Sequence, residues 1–441
     1  MLPLGNFGLA VLAFVVALSI IVAVHEYGHY VVGRWCGIKA DVFSLGFGPV
    51  LFAREDKRGT RWQVAALPLG GYVKFKGDGD AASATPTGEM EEMSPEERRQ
   101  TMAGAPLWAR AATVVAGPLF NFILSILIFG AVMMSQGKVA EPLTVGELHP
   151  LPQSGFGLQA GDELLAIAGR DVPDTQTQGG FGEFIDTLPV EDRLDYRVRR
   201  DGRDIVVDGP YPQPTRIQQL APQSAAIESG LVPGDVIVGV EGQKILAFEE
   251  LKQVVESSNG RALALEVWRD GEVMQVELTP RRVDEPKPEG GFRTEWRIGI
   301  AGGMAFDFAT ERMGPGEAIA GGVTQTWAVM ANSVSGLYHM LIGAISACNM
   351  SGPIGIAEVS GAMASQGAGS FIWFIAVLSA AIGFLNLFPI PVLDGGHLVF
   401  YAFEAVTGKP PSDGALRFLM TIGLTLVLGL MCFALITDIL C

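Results

Sequence analysis

The sequence predicts a polytopic α-helical membrane protein with four transmembrane helices, a membrane-associated β-hairpin loop and two extracytoplasmic β-rich modules. Three observations predict it. The chain has 441 residues, 49% of them apolar, and a positive mean hydropathy of +0.33, which is too long and too apolar for one soluble domain. Four segments, Phe7 to Val32, Ala111 to Met134, Phe371 to Leu393 and Leu416 to Thr437, each supply roughly the 20 mostly apolar residues that a ~30 Å hydrocarbon layer requires. Between the second and third of these the chain repeats itself, Leu158 to Gly169 aligning with Leu231 to Gly242 at an offset of 73 residues.

The first helix (1–34) has no basic stretch before it and no small-residue cleavage site after it, so it reads as a retained span rather than a signal peptide. Near its end stand His25-Glu26-Tyr27-Gly28-His29. Histidines four apart lie on one helical face, where both imidazoles can reach one ion, and a glutamate beside the first can act as base; this is the pattern of a zinc peptidase. Three ionisable groups at membrane depth are costly, which makes them a functional site by default. The chain holds only five histidines, so a chance match is rare.

The loop 35–105 contains two strand-like runs, Trp62 to Leu67 and Tyr72 to Phe75, joined by a Pro-Leu-Gly-Gly turn. It reads as a hairpin on the membrane, with Gly70, Gly71, Tyr72 and Val73 as candidate substrate-binding residues, because a sheet edge can take up an extended peptide through main-chain hydrogen bonds. Gly77 to Arg99 is an acidic linker in which Ser94 and Glu97 have capping-box spacing for a short helix. The second helix occupies 106–137. The repeat then places β-rich modules at 138–212 and 213–284, each closed by an Arg-Asp-Gly hairpin signal at Arg200 and Arg269. Residues 285–370 are assigned to a linker and an amphipathic or re-entrant segment on the outer face, centred on Ile319 to Ser346.

The third span (371–397) ends in Asn386-Leu387-Phe388-Pro389-Ile390-Pro391-Val392-Leu393-Asp394-Gly395-Gly396-His397. Two prolines remove two amide donors and break the helix. Such a break is tolerated in a membrane only against protein or a watery cavity, so a carboxylate and an asparagine amide stand at a cavity wall. His397 reads as an interfacial side chain. The fourth helix (414–441) completes the chain.

Lysine and arginine set the orientation. The loop after the first helix holds eleven, from Arg34 to Arg110, and the connection to the last helix holds Lys409 and Arg417. Both termini and the β-rich modules therefore face outward, and His25, His29 and Asp394 reach similar depth near the cytoplasmic face. The net charge of −16 argues against nucleic acid as a partner. The four cysteines (Cys36, Cys348, Cys432, Cys441) lie apart without a C-x-x-C pair and read as free thiols.

Taken as a pair, the His-Glu-Tyr-Gly-His and Asn-to-Asp394 stretches resemble the site-2 proteases, intramembrane zinc metalloproteases, and within them the bacterial regulator-of-sigma branch. Ala116-Gly117-Pro118-Leu119-Phe120-Asn121 and Ser351-Gly352-Pro353-Ile354-Gly355 match as well. The resemblance implies a bacterial inner-membrane enzyme with Zn2+ held by His25, His29 and Asp394, Glu26 as general base, and Asn386 holding substrate or steadying the transition state. It implies single-pass transmembrane substrates, such as anti-sigma factors already clipped outside, or remnant signal peptides, cut in regulated intramembrane proteolysis. The repeated Gly-Leu-x-x-Gly-Asp pattern resembles the PDZ domain, so the two modules read as PDZ-like, with peptide or protein ligands or a steric filter as their implied use. The lipid bilayer is the remaining partner.

Overall fold

The computed structural model describes residues 4–78, 93–173, 180–287 and 291–440; most of the expected acidic linker lies outside them. The chain divides into two compact units. One comprises Met1–Val132, Pro315–Leu341 and Ala347–Cys441, and the other Met133–Gly314 with Ile342–Ser346.

The membrane unit opens with helix α1 (Leu4–Trp35), followed by strands β1 (Ala40–Glu55) and β2 (Arg61–Phe75). The register makes this more than a two-stranded hairpin. Phe43, Ser44 and Leu45 pair with Val73, Tyr72 and Gly71 on one side and with Trp62, Gln63 and Val64 on the other, while Phe52 to Glu55 pair with Val64 to Arg61. The long strands thus fold back into four rungs, and the stretch from Gly71 onward forms one edge. Its core packs Phe43, Val73 and Phe75 with Tyr30 of α1, whereas Val50, Leu51 and Phe52 on the opposite edge are exposed. An apolar groove of about 390 Å3 opens between α1 and this sheet, lined by Val24, Tyr27, Leu45, Phe52, Trp62 and others.

Helix α2 (Pro95–Arg99) begins at Ser94, whose hydroxyl accepts from the Glu97 amide while the Glu97 carboxylate accepts from Ser94 N–H, the expected capping box. Helix α3 (Leu107–Gln136) is the second apolar span and contains Pro118.

In the second unit, β3 (Lys138–Val139) and β4 (Val145–Leu148) precede the first repeat, made of β5 (Glu163–Ile167), β6 (Arg170–Asp171), α4 (Gly180–Asp186), β7 (Leu194–Arg200) and β8 (Arg203–Gly209). The second repeat follows with β9 (Ile217–Leu220), α5 (Ala225–Glu228), β10 (Val236–Val240), β11 (Gln243–Lys244), α6 (Phe248–Ser257), β12 (Leu263–Arg269) and β13 (Glu272–Leu278). The sheets have matching orders, β6-β5-β7-β8 and β11-β10-β12-β13. Each has its own apolar core, one around Tyr196 and Phe306, the other around Ile237 and Leu265.

The structure also explains the repeated Gly-Asp and Arg-Asp-Gly signals. Asp162 accepts from the Gln159 amide and is gripped by Arg200 at 2.7 Å through both oxygens; Asp235 accepts from Val232 and is gripped the same way by Arg269. Both aspartates are buried. Burial alone would raise the Asp162 carboxyl, but the hydrogen bonds from Arg200 and Gln159 outweigh it and hold it below the usual range.

Here the sequence reading needs correcting. It ended the second module at 284 and assigned 285–370 to a linker and surface segment. The structure instead continues through β14 (Arg281–Pro286), β15 (Phe292–Arg297), β16 (Ile300–Gly302), β17 (Phe306–Phe308) and β18 (Thr310–Glu311). Strand β16 pairs with β9, β17 with β4 and β18 with β3. These strands are only two or three residues long, too short for an apolar alternation to mark them; distant partners define them.

Back in the membrane unit, α7 (Pro315–Leu341) forms one 27-residue helix across most of the segment read as amphipathic or re-entrant. It meets α3 through small residues: a Cβ on Gly130 would press on Ala318 at 3.1 Å, and the Thr326 and Ser125 hydroxyls bond at 3.1 Å in a buried seam. Helices α8 (Pro353–Ser365), α9 (Ala368–Asn386), α10 (Asp394–Thr407) and α11 (Asp413–Leu440) follow. The Asp438 carboxylate accepts from the amides of Gly352, Ile354 and Gly355 at 2.8 to 3.0 Å, capping α8 with the end of α11. Cys348 is disulfide-bonded, against the expectation of four free thiols, while Cys36 and Cys432 are free; wide sequence spacing carried no pairing signal.

Among the described residues, four helices are long and apolar enough to cross a membrane: Phe7–Trp35, Leu107–Gln136, Ala368–Asn386 and Gly414–Leu440. The third stops seven residues before the Leu393 end expected from hydropathy. The prolines terminate α9 well before Asp394, which instead opens the separate helix α10.

Candidate metal centre

Three helices build the site. His25 and His29 project from one face of α1, Asp394 stands at the first position of α10, and α3 runs alongside. Close approach of α1 and α3 depends on small residues: a Cβ on Gly28 would lie 2.9 Å from the Ala116 carbonyl carbon, and one on Gly117 would overlap the ring ends of both histidines. Side chains on Gly395 and Gly396 would collide with the carbonyls of the 387–390 loop, so the turn can fold tightly enough over α10 to aim Asp394 inward.

The imidazole edges are assigned by their outer partners. His29 Nδ1 faces the Thr113 carbonyl at 2.8 Å. A carbonyl only accepts, so Nδ1 carries the proton and Nε2 presents its lone pair. His25 Nδ1 lies 3.3 Å from Asn121 Nδ2, and Asn121 Oδ1 is buried without a partner. Turning the amide over lets Oδ1 accept from His25 Nδ1–H, which satisfies the oxygen and frees His25 Nε2 in the same sense. Asn121, fully buried on α3, is a site residue to which the sequence reading gave no role. Its signal was available: an amide in the middle of an apolar helix.

The inner edges converge. The two Nε2 atoms lie 3.1 Å apart, and Asp394 Oδ2 lies 3.2 Å from His25 Nε2 and 3.5 Å from His29 Nε2. Yet Asp394 Oδ2 is buried with no hydrogen-bond partner. Three lone-pair atoms facing one point, in a site whose side chains are only 12–16% exposed, repel one another unless a cation stands between them. Ligands held about 2.0–2.1 Å from a tetrahedral zinc stand roughly 3.3–3.4 Å apart, which matches the spacings found. Among the described residues His25, His29 and Asp394 are the one group of this kind. The residues fit zinc.

Glu26 sits beside them, in contact with the sheet edge. A Cβ on Gly71 would meet its Cγ at 3.2 Å, and the Val73 backbone forms a hydrogen-bonding contact with its carboxylate. Gly71 and Val73 are therefore adjacent to Glu26; Tyr72 instead turns its hydroxyl to Gln63 and stacks on Phe47. Asn386, the last residue of α9, donates its side-chain amide to the Ile382 carbonyl at 3.0 Å, bonding back along its own helix. His397, half-buried on α10, sets its ring edge against Phe400.

The model of peptidase family M50 matches residues 13–430. A protein of Agrobacterium fabrum named as a zinc metalloprotease is 38% identical over 430 residues, covering 97% of this chain and 95% of the relative. Protease RseP of Yersinia pestis is 34% identical over 453 residues, covering 97% of each. The regulator of sigma-E protease RseP of Salmonella typhimurium is also 34% identical, over 457 residues and 97% of each. With its full-length match and a converging His-His-Asp trio, the chain belongs to peptidase family M50 and is a zinc metalloprotease of the site-2 type.

Proposed function

We propose that the protein is an intramembrane zinc endopeptidase that cleaves single-pass transmembrane proteins, with His25, His29 and Asp394 as metal ligands and Glu26 as general base. The observation that carries the reading is the buried, unpartnered Asp394 Oδ2 beside the two Nε2 atoms. Zinc held there would supply a Lewis acid that polarises the scissile carbonyl and acidifies water to a pKa of about 7. Three protein ligands leave a fourth position open, as hydrolysis requires and a structural site does not.

The chain's own groups do the rest. Glu26 takes a proton from the attacking water and delivers it to the leaving amine nitrogen. A helical substrate hides its carbonyls, so it must be unwound before attack. The edge strand through Gly70, Gly71, Tyr72 and Val73 offers main-chain partners for the extended form, and the Gly71–Val73 stretch stands beside Glu26. Asn386 would hold substrate if its amide released Ile382.

Orientation follows the positive charges: termini and β unit periplasmic, active site toward the cytoplasm, in a bacterial inner membrane. The disulfide at Cys348 supports this, since disulfides persist in oxidising compartments. The matching four-stranded sheets support PDZ-like modules that admit or exclude substrates. Relatives named as sigma-E regulator proteases support anti-sigma-factor-like substrates, with remnant signal peptides as a further class.

The test is cleavage of a reporter transmembrane segment by purified protein in proteoliposomes, before and after chelation. Activity lost on chelation and restored by one equivalent of zinc is expected. Chelator-resistant cleavage overturns the metal reading.

A further inference from the structure

The cytoplasmic end of the membrane unit holds an ion pair that joins the two helices flanking the metal trio. Arg110, in the first turn of α3, reaches Glu404 on α10 across 294 residues of sequence, Nη1 to Oε2 at 3.0 Å and Nη2 to Oε1 at 2.5 Å. The side chains are only 14% and 18% exposed. The guanidinium also lies over the Tyr401 ring, 5.2 Å from its centre. Tyr401 and Leu398 of α10 pack in turn on the cluster of Phe43, Val73, Phe75 and Ala109, which unites the substrate-side sheet with α3.

These contacts have a direction. Asp394 begins α10, and Glu404 lies ten residues on, about 15 Å along the axis. Helix α10 enters from a proline-broken loop that cannot fix its rotation through a continuous helix. On the α3 side, Thr113 and Asn121 hold His29 and His25, three and eleven residues beyond Arg110. A planar, bidentate grip fixes both position and rotation of α10 against α3.

We propose that the Arg110–Glu404 pair, stacked on Tyr401, is a positioning clamp that sets the depth and rotation of α10 and so delivers Asp394 to the two histidines. The proposal rests on the metal-site reading given above. A buried ion pair adds little net stability compared with a well-packed apolar pair. Its use here is geometric: metal ligands tolerate only about ±0.2 Å, and α10 has no other charged anchor to α3 among the described residues.

The test measures zinc affinity of the full-length apoprotein in detergent by competition with a chelator, with the visible spectrum of the Co2+ form as a second readout. Compared are wild type, Arg110→Met, Glu404→Gln, the exchanged pair Arg110→Glu with Glu404→Arg, and Asp394→Asn as the ligand-loss reference. Each single variant is expected to weaken zinc roughly tenfold, the low end of what supporting partners of metal ligands contribute, and to lower the tetrahedral Co2+ absorption while KM for the reporter changes little. The exchanged pair recovers most of the loss. Glu404→Gln keeps shape and one acceptor, so it reports even if Arg110→Met fails to fold. Singles that bind zinc as tightly as wild type overturn the clamp, as does an exchanged pair that folds but recovers nothing. Wild type that binds no zinc overturns the metal-site reading itself, and the clamp with it.

Discussion

Replacing Gly117 with alanine puts the smallest possible side chain where the structure has least room for one. The added Cβ would stand 2.5 Å from His29 Cε1 and 2.8 Å from His25 Nε2, against an ordinary contact of about 3.5 Å. Something must give by roughly 0.7–1 Å. A free imidazole could swing aside cheaply, but His29 is pinned at Nδ1 by the Thr113 carbonyl, 2.8 Å away on the same helix as Gly117. Backing α3 off would break that bond, and would also loosen Asn121 from His25. Either response exceeds the roughly ±0.2 Å that a metal site tolerates, and misplacement by about 1 Å costs on the order of a hundredfold in rate. The expectation is therefore a folded protein with zinc affinity reduced by one to two decades and reporter cleavage reduced about a hundredfold. Zinc titration against a chelator and cleavage at saturating zinc, both on protein with wild-type thermal unfolding, provide the check. Full zinc affinity with wild-type cleavage in Gly117→Ala would refute the convergence of the three ligands at this point.

Other consequences follow from the same contacts. Asn121→Leu keeps volume but removes the amide that orients His25, and zinc affinity should fall roughly 10–100-fold, read by chelator competition. In the β unit, Asp162→Asn leaves Arg200 without its bidentate partner. Asp162 is buried while Arg200 is 26% exposed and can be partly hydrated, so a local loss of stability is expected, seen as faster hydrogen exchange across β5 and β7. The pH dependence has a definite sign. The Asp162 carboxyl titrates lower in the folded state than in the unfolded chain, so its contribution is fully present above about pH 4 and is lost as pH falls through the folded value. Exchange protection in β5 and β7 that is flat from pH 6 down to pH 3 would count against it.

The site was legible where local spacing carries chemistry. His25, Glu26 and His29 follow from helical geometry within five residues, and Asp394 stood out because prolines and glycines around a carboxylate make poor sense in a plain span. Illegible features depend on distant partners. Asn121 stood out as an amide in an apolar helix, but its role shows only once His25 is placed against it. Arg110 and Glu404 look like ordinary flanking charges 294 residues apart. Strands β16 to β18 are too short to show an alternation of their own and exist because β9, β4 and β3 await partners. The end of α9 was misjudged for a related reason: hydropathy continues through Pro389 and Pro391, while the hydrogen-bond ladder cannot.

The most direct test of the central claim compares wild type with Glu26→Gln for cleavage of a reporter transmembrane segment at equal bound zinc. Glutamine leaves His25, His29 and Asp394 in place but cannot accept the proton of the attacking water. The account predicts one zinc per chain in both proteins and a rate lower by roughly 10²–10⁴ in the variant, the range expected for loss of a general base. Equal cleavage by the two proteins at equal zinc would contradict it.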